Sequence, residues 1–146
     1  QATRDKFVTG EDGAQWLVSG DTATQDEDGW IFFVGRADDV ITSSGYRIGP
    51  AEIEDCLSGH PAVALSAVIG VPDPARTERV KAFVILNEGF EPSDDLAREV
   101  QEHVKRRLAA HEYPREVEFV TELPMTTTGK IQRKVLRERE VAKQAN

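Results

Sequence analysis

A single cysteine, Cys56, excludes an internal disulfide, and three widely spaced histidines, His60, His103 and His111, form no zinc-ligand pattern. No apolar run approaches the roughly 20 residues that a membrane-spanning helix needs. Residues 1–10 carry no apolar segment of the secretory kind, so a cytoplasmic setting without a membrane span is expected. Positive charge is scarce: Lys and Arg number 18 against 26 acids in 146 residues, a formal net charge of −8. That balance argues against a nucleic-acid partner, whose backbone is bound through cations. What remains suffices for a fold, since 39% of residues are hydrophobic and 30% charged, a composition outside the disordered class.

Two β-type runs, Gln15–Val18 and Trp30–Val34, flank the turn-forming Asp26-Glu27-Asp28-Gly29 and read as a hairpin or meander too small to bury its own core. A domain break is expected in the polar Gly35-Arg36-Ala37-Asp38-Asp39, with residues 1–37 before it and 38–146 after it. Beyond it, Pro50 to Leu57 has Pro in its first turn, acids near its N-terminal end and Gly59 as a left-handed stop, which predicts a short helix with the stripe Ile53, Cys56, Leu57. Val63–Val71 and Val80–Leu86 read as strands around a loop, Pro72–Arg79. Ser93 can cap a helix from Asp94 to about Ala110, where Leu96, Val100, Val104 and Leu108 recur at four-residue spacing and Glu102 lies four residues before Arg106. Val117–Thr121 predicts a further strand and Gln132–Ala142 a basic helix. The order implies an α+β domain: a small mixed β-sheet flanked by helices and preceded by a β-hairpin remnant.

Two segments concentrate chemistry. From Gly35 to Glu54, Arg36 and Arg47 offer planar donor forks suited to phosphate or ribose oxygens, and Ser44-Gly45 allows close approach to backbone. The competing reading is a polar linker whose arginines pair with Asp38 and Asp39. In the second segment, Thr126-Thr127-Thr128-Gly129-Lys130 lies between a strand and a helix, as a phosphate-binding turn could, with Lys130 as a mobile point charge. Pro124 occupies the place of the first glycine of a Walker motif, so P-loop binding is not supported. An ordinary turn with an exposed lysine is the alternative. Ser19-Gly20-Asp21 is a common turn triplet, Arg76 an ordinary loop arginine, and His103 and His111 read as surface residues. The basic segment from Lys130 to Lys143 reads as a solvated or inter-domain face.

Taken in order, Ser19-Gly20-Asp21, Gly35 to Ile41, Ser44 to Gly49 and Pro124 to Lys130 resemble the C-terminal part of the AMP-forming acyl-CoA synthetases. Their adenylate-forming family also includes firefly luciferase and the adenylation domains of peptide synthetases. Ser43 to Pro50, Val80 to Val84 and Tyr113-Pro114-Arg115 look most like the medium- or short-chain branch. The resemblance implies that residues 1–37 end a large N-terminal AMP-binding domain and that 38–146 form a mobile C-terminal domain. It also implies a two-step ligase reaction. A carboxylic acid attacks ATP, with Mg2+ expected alongside, to give acyl-adenylate and pyrophosphate; the CoA thiol then displaces AMP.

By motif, Asp21 and Arg36 would hold the ATP ribose, Arg47 would sit near the phosphates, and Asp38 would be the hinge. Lys130 would be the catalytic lysine of adenylation, and a target for a lysine acetyltransferase and deacetylase. Ser44, Gly45 and Tyr46 would line the pantetheine tunnel, with Arg76, Lys105 and Tyr113 near the CoA nucleotide. Ser19, Leu17 and Met125 depart from the family's usual Thr, Tyr and Lys or Arg. The fragment is expected to be inactive without its N-terminal domain. Two alternatives stay open: an adenylation fragment serving a carrier protein, and a non-catalytic regulatory domain of the same fold.

Overall fold

The computed structural model describes residues 6–144, and the chain divides into two compact units that meet between Asp38 and Asp39. In the first unit, β1 (Phe7–Thr9) pairs antiparallel with β2 (Gln15–Leu17), and β3 (Asp21–Gln25) with β4 (Ile31–Arg36). The two predicted runs therefore belong to different sheets. β1 and β3 escaped the sequence reading because each is short or polar, while the predicted turn at Asp26–Gly29 joins β3 to β4. Asp26 stabilises it by accepting from the backbone N–H of Asp28 and Trp30 through its carboxylate. These sheets bury little: Trp16, Leu17, Trp30, Ile31 and Phe33 are each 60–72% exposed.

The second unit is a five-stranded mixed sheet. β5 (Ile41–Ser43) and β6 (Tyr46–Ile48) form a hairpin, followed by α1 (Pro50–Ser58), β7 (Val63–Asp73), β8 (Thr77–Leu86), α2 (Asp94–Lys105), β9 (Glu116–Phe119) and α3 (Arg133–Gln144). β7 and β8 pair antiparallel, β9 runs parallel to β8, and Ser43 of β5 pairs with Thr77 of β8.

Strand alternation explains why the central runs are apolar almost throughout. Val68, Val80, Ala82 and Val84 face one core with Ile53 and Leu57 of α1 and Leu96, Val100 and Val104 of α2. Ala67, Ile69, Val71 and Phe83 face the opposite core with Leu136 of α3.

Three details differ from the expectations. Pro72 does not end β7: it pairs with Glu78 inside the ladder, tolerated because β7 is an edge strand and a proline there forfeits no bond on its open side. The connection shrinks to a turn after Asp73. Gly59 is right-handed (φ −77°) and closes α1 through a bond from its N–H to the carbonyl of Cys56, so no left-handed stop is used. Helix α2 begins as predicted, with the Ser93 hydroxyl accepting from the Leu96 N–H, but ends at Lys105. Past that point the chain tightens, with Arg107 and Leu108 both donating to the Val104 carbonyl.

Candidate functional site

In the first unit, the start of β3 and the end of β4 gather three candidates. The Arg36 guanidinium donates to the Ser19 carbonyl (3.0 Å) and to the carboxylates of Asp21 (3.4 Å) and Asp38 (3.3 Å). The Ser19 hydroxyl accepts from the Asp21 N–H, and the Ala37 N–H bonds the Gly20 carbonyl. The result is an exposed, solvent-screened cluster in which one fork orients two carboxylates. The linker reading's pairing of Arg36 with Asp38 is present. Asp39 has other partners, both on α3: Arg133 at 3.3 Å and Arg137 at 2.9 Å.

In the second unit, the β5–β6 hairpin turns at Ser44 (φ 51°) and Gly45 (φ 84°). Two consecutive left-handed residues match the right-handed twist of the flanking strands, which is why a glycine stands there. The Ser44 N–H donates to the Arg76 carbonyl, so the turn abuts the β7–β8 turn. Tyr46 stacks on His111, ring centroids 3.9 Å apart and 10° from parallel. Lys105 lies over the Tyr113 ring at 5.5 Å, with Arg115 over it at 4.0 Å.

Contacts thus run from Arg76 through Ser44 and Tyr46 to His111, two residues before Tyr113. His111, expected at the surface, is half-buried. His103, expected at the surface, is half-buried and bonds the Cys56 carbonyl at 3.0 Å. The Arg47 side chain is exposed and makes no hydrogen bond or ion pair among the described residues.

Lys130 sits on a closed turn. An isolated bridge joins Met125 to Ile131. Within it the Thr126 N–H donates to the Lys130 carbonyl (2.8 Å), the Lys130 N–H to the Thr126 hydroxyl (3.0 Å), and the Gly129 N–H to the Thr126 carbonyl (3.0 Å). Gly129 has φ 78°, which a residue bearing a Cβ adopts only at a cost. The backbone under Lys130 is therefore held from both sides, while its side chain is exposed and pairs with no carboxylate among the described residues. No hydrogen bond, ion pair or ring contact among the described residues links this turn to the Ser44–Tyr46 turn.

A second lysine is placed oppositely. Lys81 of β8 is 2% exposed, its ammonium 2.6 Å from Glu116, 2.7 Å from Glu118 and 2.7 Å from Glu140. Burial opposes its charge, but the three carboxylates outweigh burial and raise its pKa above the ordinary lysine value. Lys143 adds contacts to Glu118 (3.0 Å) and Glu140 (2.7 Å), and Arg79 meets Glu116 at 3.1 Å. Burial opposes ionisation of Glu118 and Glu140 as well. Their lysine hydrogen bonds prevail and hold both below the usual carboxylate value. The three carboxylates converge as a cation site would. The cation they hold is Lys81, whose ammonium lies within 2.7 Å of all three. In the basic segment read as a solvated or inter-domain face, Arg133, Arg137 and Lys143 are thus engaged in pinning α3.

Comparison with known proteins identifies the arrangement. Residues 52–130 match the model of the AMP-binding enzyme C-terminal domain, more than half of the chain and ending at Lys130. Acetyl-coenzyme A synthetase of Bacillus subtilis is 57% identical over 122 residues, covering 84% of this chain and 21% of that protein. Human acyl-coenzyme A synthetase ACSM1, mitochondrial, is 57% identical over 124 residues, covering 84% and 22%. Among solved structures, the anthranilate CoA ligase AuaEII in complex with anthranoyl-AMP superposes with a TM-score of 0.81 at 42% identity, covering 93% of this chain and 27% of that one. The chain thus spans about a fifth of the length of these curated relatives. It belongs to the AMP-binding enzyme C-terminal domain family.

Proposed function

We propose that the chain is the C-terminal part of an AMP-forming acyl-CoA synthetase, with residues 1–37 closing its N-terminal domain and 38–146 forming the mobile domain. The overall reaction is carboxylic acid, ATP and CoA to acyl-CoA, AMP and pyrophosphate. The observation that carries this reading is the state of Lys130: a cation whose side chain has no partner among the described residues, on a backbone turn held by Thr126. Such a lysine loses no ion pair when it approaches an anion. In adenylation its ammonium neutralises charge building at the α-phosphate and the bridging oxygen, where electrostatic stabilisation lowers the barrier most.

In the same reading Asp21 and Arg36 hold the ribose hydroxyls, and Arg47, whose side chain has no hydrogen bond or ion pair among the described residues, meets the phosphates. Asp38 takes up the backbone rotation that exchanges the Lys130 turn for the Ser44-Gly45-Tyr46 turn. In the thioester-forming state that turn lines the pantetheine path, while Arg76, Lys105 and Tyr113 flank the CoA nucleotide. The separation of the two turns supports alternation, since one active site could use each in turn. Exposed Trp16, Leu17, Trp30, Ile31 and Phe33 support the assignment of the first unit to a larger domain, because two-stranded sheets cannot cover so much apolar surface. Mg2+ enters as the companion of ATP, and no side chain of this chain is assigned to it.

The test uses the full-length parent enzyme with Lys130→Ala and separates the half-reactions: pyrophosphate exchange for adenylation, and thioester formation from supplied acyl-adenylate. Exchange is expected to fall by about 10²–10³-fold or more, with thioester formation largely kept. Equal loss of both, or loss of neither, would overturn the role given to Lys130.

A further inference from the structure

Asp39 is the first residue of the second unit, and both of its carboxylate oxygens are engaged. Oδ2 accepts from Arg133 Nη1 at 3.3 Å and Oδ1 from Arg137 Nη1 at 2.9 Å. Arg133 also forks onto Glu54 of α1, Nε to Oε1 at 3.2 Å and Nη2 to Oε2 at 2.6 Å, and Glu54 Oε1 accepts the Val68 N–H of β7. Asp39, Glu54 and Arg133 are each less than one-fifth exposed, so these contacts are shielded as surface pairs are not. Arg133 opens α3, and only Ile131 and Gln132 separate it from Lys130. The Gln132 N–H is bonded to the Pro124 carbonyl at the base of the Lys130 turn. An unbroken set of contacts therefore leads from the residue after the unit boundary, through two guanidinium groups, to the backbone that carries Lys130.

We propose that Arg133 and Arg137 are positioning residues that tie Asp39 to α3, so that backbone rotation at the boundary carries the Lys130 turn with it as one rigid piece. The proposal rests on the adenylating role given to Lys130. Its physical content is that the first turns of α3 have two anchors of different kind. Leu136 in the core and the Lys81 network hold the helix to the sheet, while Asp39 and Glu54 set the position of its N-terminal end. Removing the Asp39 contacts should leave the domain folded and the Lys130 turn misplaced.

The experiment uses the full-length parent with Arg137→Gln and Arg137→Lys beside Lys130→Ala, measuring both half-reactions and the thermal midpoint. Arg137→Gln is expected to lower kcat of pyrophosphate exchange about tenfold or more, leave thioester formation within about twofold, and spare the thermal midpoint; Arg137→Lys, which keeps a cation for Asp39, is expected to recover most of the exchange rate. Equal loss in both half-reactions, or an exchange rate unchanged in Arg137→Gln, would overturn the proposal. If Lys130→Ala abolishes exchange and Arg137→Gln does not, only the tie through Asp39 fails. If Lys130→Ala itself leaves exchange intact, the functional reading beneath the proposal fails with it.

Discussion

Lys81 of β8 contacts Glu140 late in α3 and Lys130 precedes that helix, and the fold treats the two lysines in opposite ways. Lys81 is buried among three carboxylates contributed by β9 and α3. Lys130 stands in solvent with no side-chain partner among the described residues, on a turn whose backbone is bonded across. A cation that already holds three short contacts is committed to structure, since moving it would take from the buried Glu140 and the half-exposed Glu116 and Glu118 their shared partner. A cation with none is available for chemistry, and holding its backbone lowers the entropy lost when it docks on a phosphate.

The contrast is tested most severely by exchanging the two roles. Lys130→Ala should cost adenylation several orders of magnitude while leaving stability within about 0.5 kcal/mol, as expected of an exposed site outside any packed feature. Lys81→Met should do the reverse. By removing the cation that Glu116, Glu118 and Glu140 share, and leaving the buried Glu140 with Lys143 alone, it is expected to destabilise the domain by about 2–3 kcal/mol in chemical denaturation, and to leave adenylation per folded molecule near wild type. A Lys81→Met protein of undiminished stability would show that the network contributes nothing net.

A pH series isolates the same network. Glu118 and Glu140 have folded pKa values below their ordinary value of about 4.5, so their stabilisation is complete above that pH and is lost as pH falls through the lowered values. Lys81, raised above 10.5, contributes fully below that pH and loses its contribution as pH rises past its raised value. Denaturation midpoints that fall in acid below pH about 4.5, less steeply in a Glu118→Gln protein than in wild type, and fall again in alkali, less steeply in Lys81→Met, would bear this out. The smallest effect is expected at the turn itself. Gly129→Ala, forced to hold φ near 78°, should cost about 1–2 kcal/mol, and its adenylation should fall more than its thioester step because the strain sits beside Lys130.

Signals that act over a few residues were legible in advance. The Ser93 cap, the Leu96, Val100, Val104 stripe, the Asp26–Gly29 turn and the two central strands each follow from a propensity or a period. The ordered motifs also led to the family, although no one motif was informative alone. Features that reach across the chain were hidden. Pro72 reads as a terminator until it is known that β7 lies at an edge. Gly59 reads as a left-handed stop, although the chain closes α1 with a right-handed turn instead. Short β5 and β6 carry too few residues for a period, and His111 gave no sign that it would stack on Tyr46.

Among the lysines, the chemistry-bearing pattern Thr-Gly-Lys singled out Lys130, whereas Lys81 was one residue of an apolar run. Its partner Glu140 is 59 positions away, as Arg137 is 98 from Asp39. Local sequence settles backbone angles, caps and alternation, because those depend on neighbours within a turn or a strand. Which charges meet, and which are left free to act, depends on burial and on the register of β8 against β9 and of the sheet against α3. Those arrangements exist only once the two cores have closed and desolvation has made each unpaired charge costly.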